Sequence, residues 1–367
     1  MKKKITLLFM SFFILVSCRS EEDNSVPPVV PVVPVVPIAP SAPTATQAVL
    51  NGNVVDVSWP VVVGTGITYN VYRNGNPVKI NTVPLSEPKF TDVLASTGTF
   101  SYSVTANSGS LESIKGVVSD KVILELPKTK TVESITSKYN TKTEYIYTYE
   151  TTNITKLVSE TLKTTTTRLS DQTAMVTDRI GKYTYNGDLI EKIAYYNVDN
   201  NAFVSSIDYV YNEKKKLVSV IRKKSDGSNN IINYVYNDDG TTTMTNASSP
   251  NFETWVLTLE KGNLVKYVYS VLLGGTINYK EVANCVFDTN EYVYKNVFAH
   301  NNFFGTSTSY NNEISSSVVV SENGSVFETL SSKSEYTYNE NGYFLTKKRY
   351  DTTSSIPVLT EKTTYTY

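Results

Sequence analysis

The chain has 367 residues, with 34 Lys and Arg against 35 Asp and Glu, one His and two Cys. Near-neutral charge excludes the broad basic face that nucleic-acid binding requires. One histidine and two cysteines exclude a disulfide framework and a His/Cys zinc site, which takes three or four such ligands.

Met1-Lys2-Lys3-Lys4 is a cationic start, and Ile5 to Val16 is a 12-residue apolar run. That is shorter than the roughly 20 residues a membrane-spanning helix needs and suits the hydrophobic region of a signal peptide. The run ends Leu15-Val16-Ser17-Cys18, which resembles the lipobox of bacterial lipoproteins. The resemblance implies a signal peptide over 1–17 and an acylated Cys18, with several acyl chains anchoring where one alone does not. Removing residues 1–17 takes away three lysines and leaves 31 basic against 35 acidic residues. Arg19-Ser20-Glu21-Glu22-Asp23 resembles the Ser-acidic signal that sends lipoproteins of Bacteroidota-type cells to the outer face of the outer membrane. Residues 18–43 are thus a lipidated N-terminus and a stalk. Its Val-Pro-rich run favours polyproline II, at about 3.1 Å per residue.

Residues 44–126 alternate like short strands. Val54-Val55-Asp56-Val57-Ser58-Trp59 and Ile67-Thr68-Tyr69-Asn70-Val71-Tyr72-Arg73 carry period-two patterns, with turn signals at Asn51-Gly52 and Asn74-Gly75. Trp59 and Tyr102, the latter in Tyr-x-Val-x-Ala, stand where a fibronectin type III sandwich keeps its core tryptophan and strand-F tyrosine. The segment resembles that family, which implies a spacer or binding module with Trp59 in the core.

Residues 127–367 hold 24 of the 27 tyrosines, many as Tyr-x-Tyr: 145/147, 183/185, 209/211, 234/236, 267/269, 292/294, 336/338 and 365/367. Spacing of two places each pair on one sheet face. Asn-Gly and Asp-Gly turns follow several pairs, as in Tyr183-Thr-Tyr185-Asn-Gly187, so each unit reads strand, turn, strand. About eight hairpins, or roughly sixteen strands, result. The unit resembles the Tyr-Asp repeats of Rhs-type proteins, with Asn186, Asn212, Asn237 and Asn339 where that family prefers Asp. The expectation is an all-β chain: a fibronectin III-like β-sandwich followed by an antiparallel β-hairpin repeat array forming a curved sheet. The tyrosine rows serve either as packing ladders or as an exposed stacking surface.

Catalytic signatures are missing. The single His300 stands alone, with no Gly-x-Ser-x-Gly elbow and no phosphate loop or dinucleotide fingerprint. Cys285 lies in a strand-like run and reads as buried filler. Asn237-Asp238-Asp239-Gly240 reads as a turn rather than a calcium loop. The segment 295–313 breaks the repeat, and its irregular aromatics, Phe298, His300, Phe303, Phe304 and Tyr310, together with Trp255, are the candidate ligand-binding residues. The reading is a non-catalytic, outer-membrane, surface-exposed lipoprotein without a cofactor, binding a glycan or surface protein. A structural subunit of an envelope complex is the alternative, and a carbohydrate-active enzyme the third reading.

Overall fold

The computed structural model describes residues 37–249, 251–294, 297 and 309–367. The signal peptide, Cys18 and most of the stalk lie outside the described residues. All strands belong to the unit Ala39–Tyr367.

A small N-terminal body comes first. β1 (Gln47–Asn51), β2 (Val54–Ser58) and β4 (Lys89–Val93) form one sheet. β3 (Ile67–Arg73), β6 (Tyr102–Ser108) and β7 (Leu111–Glu112) form another, and β5 (Gly98–Phe100) pairs with β8 (Val122–Leu124). Alternation buries Val55 and Val57 on β2. Trp59 is buried, its ring edge-on to Tyr69 at 5.3 Å. The buried Tyr102 hydroxyl donates to Asp92 Oδ2 at 2.8 Å, and Arg73 pairs with the same oxygen at 2.9 Å.

The remaining strands are β9 (Thr129–Ile135), β10 (Tyr139–Tyr149), β11 (Leu157–Arg168), β12 (Ala174–Asn186), β13 (Leu189–Asn197), β14 (Phe203–Tyr211), β15 (Leu217–Lys224) and β16 (Asn229–Tyr236). They continue as β17 (Thr242–Asn246), β18 (Phe252–Glu260), β19 (Asn263–Leu273), β20 (Thr276–Glu291), β21 (Asn311–Glu322), β22 (Ser325–Tyr338), β23 (Phe344–Asp351) and β24 (Val358–Thr366). Each pairs antiparallel with its chain neighbours, and β24 returns to pair with β9, closing a barrel. Thr129 and Thr366 face each other across the seam, their hydroxyls 2.8 Å apart. Thr, Val and Tyr at alternating positions suit these half-buried strands. Tight turns join them: Gly187, with φ +57°, takes the first place of the two-residue loop between β12 and β13.

The closed barrel overturns the expected architecture. The fold is all-β, but its main body is one sixteen-stranded barrel rather than a curved repeat sheet behind a sandwich. The joint resemblance to a surface lipoprotein with a fibronectin type III domain and Rhs-type Tyr-Asp repeats is corrected with it. The N-terminal strands divide among three small sheets instead of two, and the hairpins make one ring instead of an open array. The physical reason is that hairpin alternation is identical in an open and a closed sheet. What distinguishes them is the pairing of Thr129–Ile135 with Val358–Thr366, which removes both free edges.

The N-terminal body sits at the end where β9 begins and β24 finishes, here called the proximal end. One apolar cluster runs from Val57, Trp59 and Leu124 of that body into Leu157, Phe344 and Tyr365 of the barrel. Glu125 reinforces the contact, accepting from the Asn339 and Asn341 side chains of the β22–β23 turn.

Candidate functional site

Strand register assigns every barrel residue to the lumen or the outer wall. Lys130, Phe287, Tyr336 and Tyr365, from β9, β20, β22 and β24, line a single cavity, which strands so separated can share only on the concave side. Alternation then carries the assignment around the ring.

The outer wall is charged. Lys142 pairs with Glu144 at 2.7 Å, and Asp208 lies 3.8 Å from Lys192 and 2.5 Å from Lys223. Lys333 meets Glu335 at 3.2 Å, and Lys362 meets Glu133 at 3.9 Å. These residues alternate with inward ones along their strands, on β9, β10, β13–β15, β22 and β24. Exposed pairs of this kind contribute little stability. Their meaning lies in location, because a lysine facing lipid at the bilayer midplane costs about 2–4 kcal/mol in a transmembrane barrel.

The Tyr-x-Tyr pairs on β10, β12, β14, β16, β22 and β24 face the lumen near the proximal end. A β-bulge at the last tyrosine of the run recurs at Tyr149, Tyr185, Tyr211 and Tyr338, setting it opposite Leu157, Ile190, Leu217 and Phe344, each buried. Several hydroxyls reach a backbone oxygen of the preceding strand. Tyr185 donates to Leu157 O at 2.7 Å, Tyr236 to Leu217 O at 3.0 Å and Tyr367 to Phe344 O at 3.1 Å. Tyr149 does the same to Pro127 O at 2.8 Å. The connection after β20 closes this end further. Tyr294 is buried edge-on against Tyr147 and Tyr365, its hydroxyl 2.6 Å and 3.2 Å from theirs. Burial pushes the Tyr294 hydroxyl well above the usual phenol range.

Charged groups are interleaved with this tyrosine belt. Glu160 accepts from the Tyr195 hydroxyl at 3.0 Å. Desolvation raises its carboxyl above the usual range, against hydrogen bonds from Tyr195 and Tyr183 and the attraction of Lys130. The Lys130 ammonium lies 4.9 Å above the Tyr145 ring centroid and 6.0 Å from that of Tyr365. Desolvation lowers its pKa, and the Glu361 and Glu160 carboxylates oppose the shift. Lys347 lies 3.7 Å from Glu361, and Arg349 donates to Ser332 Oγ at 3.2 Å.

The sequence-predicted candidates fare unevenly. Phe298, His300, Phe303 and Phe304 lie outside the described residues, as does Cys18. Tyr310 is half-exposed, its ring covering Gly262 at the β18–β19 turn, where a Cβ would meet the ring. Trp255 stands inside the lumen, stacked on Tyr269 at 4.7 Å, beside Arg222, Asn230 and Asn246 around a cavity of about 400 Å³. Gly262 lies at the proximal end and Trp255 seven positions up β18, so Tyr310 and Trp255 belong to different sites. Cys285 also faces the lumen. Burial, with Glu313 nearby, pushes its thiol up to about 12, which disfavours the thiolate at neutral pH. Asp239 accepts from the Thr241 amide at 2.9 Å and shapes its turn. Sequence reasoning missed Lys130, Glu160, Arg349 and Glu361. The available signal was parity: Glu160 shares a strand face with Leu162, opposite Tyr147 and Tyr145.

No family description and no characterised protein matches the sequence. Among solved structures, a porin-like protein from Bacteroides uniformis ATCC 8492 is 10% identical, with 65% of this chain and 96% of that one covered at a TM-score of 0.39. Titin kinase with its flanking domains is 13% identical over 41% of this chain and 31% of that one, with a TM-score of 0.20. A rhamnogalacturonan lyase from Bacillus licheniformis is 12% identical over 88% of this chain and 52% of that one, with a TM-score of 0.18. At these scores none bears on what this chain does, and the fold rests on its own strand pairing.

Proposed function

We propose that this chain is a non-catalytic binding protein of the outer membrane, tethered through acylated Cys18, whose barrel stands in water and holds a saccharide in its lumen. The carrying observation is the contrast between the two barrel faces. The outer wall bears ion pairs on β9, β10, β13–β15, β22 and β24, while the inner wall gathers tyrosine rings, Trp255, and unlike charges. Rings supply stacking faces for sugars, and the interleaved cations, carboxylates and hydroxyls supply hydrogen bonds that orient them. Sixteen strands enclose more space than their side chains fill, which leaves room for a ligand.

The test is a glycan array probed with the full chain in detergent. Binding is expected, and Trp255→Ala is expected to weaken it while leaving the circular-dichroism spectrum intact. A blank array rejects the saccharide reading. One observation favours a subunit of an envelope complex instead. Met175, Phe252, Val326 and Phe327, at the hairpin ends farthest from the N-terminal body, are each more than half exposed. A blank array with a stoichiometric protein partner after gentle extraction is the signature of that reading.

A further inference from the structure

We propose that the lumen cavity bounded by Lys130, Lys347 and Arg349 binds the carboxylate of an acidic sugar, so that the ligand is a uronic-acid-bearing glycan. The inference rests on the saccharide reading above and narrows it to one chemical class. The cavity measures about 250 Å³ and takes its three cations from β9 and β23. Tyr292, Tyr336 and Tyr365 line the same space.

Charge accounting separates the cations. Lys347 is served by Glu361 at 3.7 Å. Neither Lys130 nor Arg349 has a carboxylate within ion-pair distance among the described residues. Lys130 is held over tyrosine rings, and the guanidinium of Arg349 meets one serine hydroxyl. A guanidinium carries five N–H donors in a fork that fits a carboxylate in a bidentate manner, so Arg349 retains donors for one. Glu361 and Glu313 also line the cavity and accept from sugar hydroxyls. The acceptors and rings distinguish this cavity from a plain anion hole, which would need neither.

A second cavity, of about 340 Å³, shares Arg349 and Glu361 and continues along Ser134, Ser316 and Ser332. Arg349 therefore stands between two compartments, where successive rings of one oligosaccharide would place a carboxylate beside it and hydroxyls on either side.

The experiment is isothermal titration calorimetry of the full chain in detergent. The probes are tetrasaccharides of galacturonate, mannuronate and guluronate and a neutral tetragalactose. At least one uronate is expected to bind at least tenfold more tightly than the neutral probe. Arg349→Gln is expected to erase that preference, bringing the affinity for uronate down to that of the neutral probe measured on the same variant. Arg349→Lys, which keeps the charge and loses the fork, is expected to fall between, and equal melting temperatures show that both variants fold. Equal affinity for charged and neutral probes, or a preference that survives Arg349→Gln, overturns this inference and leaves the saccharide reading standing. An absence of uronate binding overturns it too, and combined with a blank array removes both.

Discussion

At the scale of single residues, the tyrosine hydroxyl earns its place over a phenyl ring by what it reaches. Tyr185, Tyr236 and Tyr367 each tie their strand to a backbone oxygen of the strand before, and phenylalanine would fill the same volume without that bond. Tyr236→Phe is therefore expected to cost about 1 kcal/mol, the usual net worth of a neutral hydrogen bond, read from denaturant unfolding. An unchanged midpoint would show that water replaces the hydroxyl there. Glu160 makes the opposite kind of contribution. Desolvation raises its carboxyl in the folded chain, so between its unfolded and folded values the native state binds more protons. Stability on its account is complete below the unfolded value and is lost as pH rises through the folded one. Glu160→Gln is expected to melt higher than the parent at pH 7 and to flatten the dependence of Tm on pH above about 4.3, the ordinary glutamate value. An unchanged slope would assign that dependence to another group.

At the scale of elements, much was legible because strands and turns are written locally. The Tyr-x-Tyr spacing places both rings on one face, and Gly187 supplies the positive φ of its loop. A count of about sixteen strands needs only these signals. Closure is a different kind of fact. It depends on Glu361 meeting Ser134 and Thr366 meeting Thr129, partners more than two hundred residues apart that no local pattern announces. The inward direction of the tyrosines follows from closure, and so does the meeting of Lys130 with Tyr365, whereas its contact with Tyr145 is set by the β9–β10 hairpin. A lysine in Thr129-Lys130-Thr131-Val132 looks like any solvated strand lysine until β24 is laid beside it. Trp255 was recognisable as an irregular aromatic, but its place inside the lumen required the register of β17, β18 and β19.

At the scale of the whole molecule, the question is what surrounds the barrel. A barrel immersed in lipid would show an apolar outer band with aromatic girdles at its edges. Here the paired tyrosines point inward, with Tyr196 an exception on the outer face, and Lys142, Glu144, Lys192, Asp208, Lys333, Glu335 and Lys362 point outward from within their strands. At about 2–4 kcal/mol each at the bilayer midplane, burying those lysines in lipid would cost an amount comparable with the roughly 5–15 kcal/mol that typically holds a folded protein together. On the proposed reading, attachment to the membrane rests on acylation of Cys18, and loss of that residue should release the protein entirely. A Cys18→Ala chain is expected in the aqueous fraction of disrupted cells without detergent, while the parent sediments with the outer membrane and needs detergent to leave it. If the Cys18→Ala chain instead resists a carbonate wash, the barrel itself holds the membrane. The outward lysines would then have to face protein or headgroups, and the water-standing reading fails.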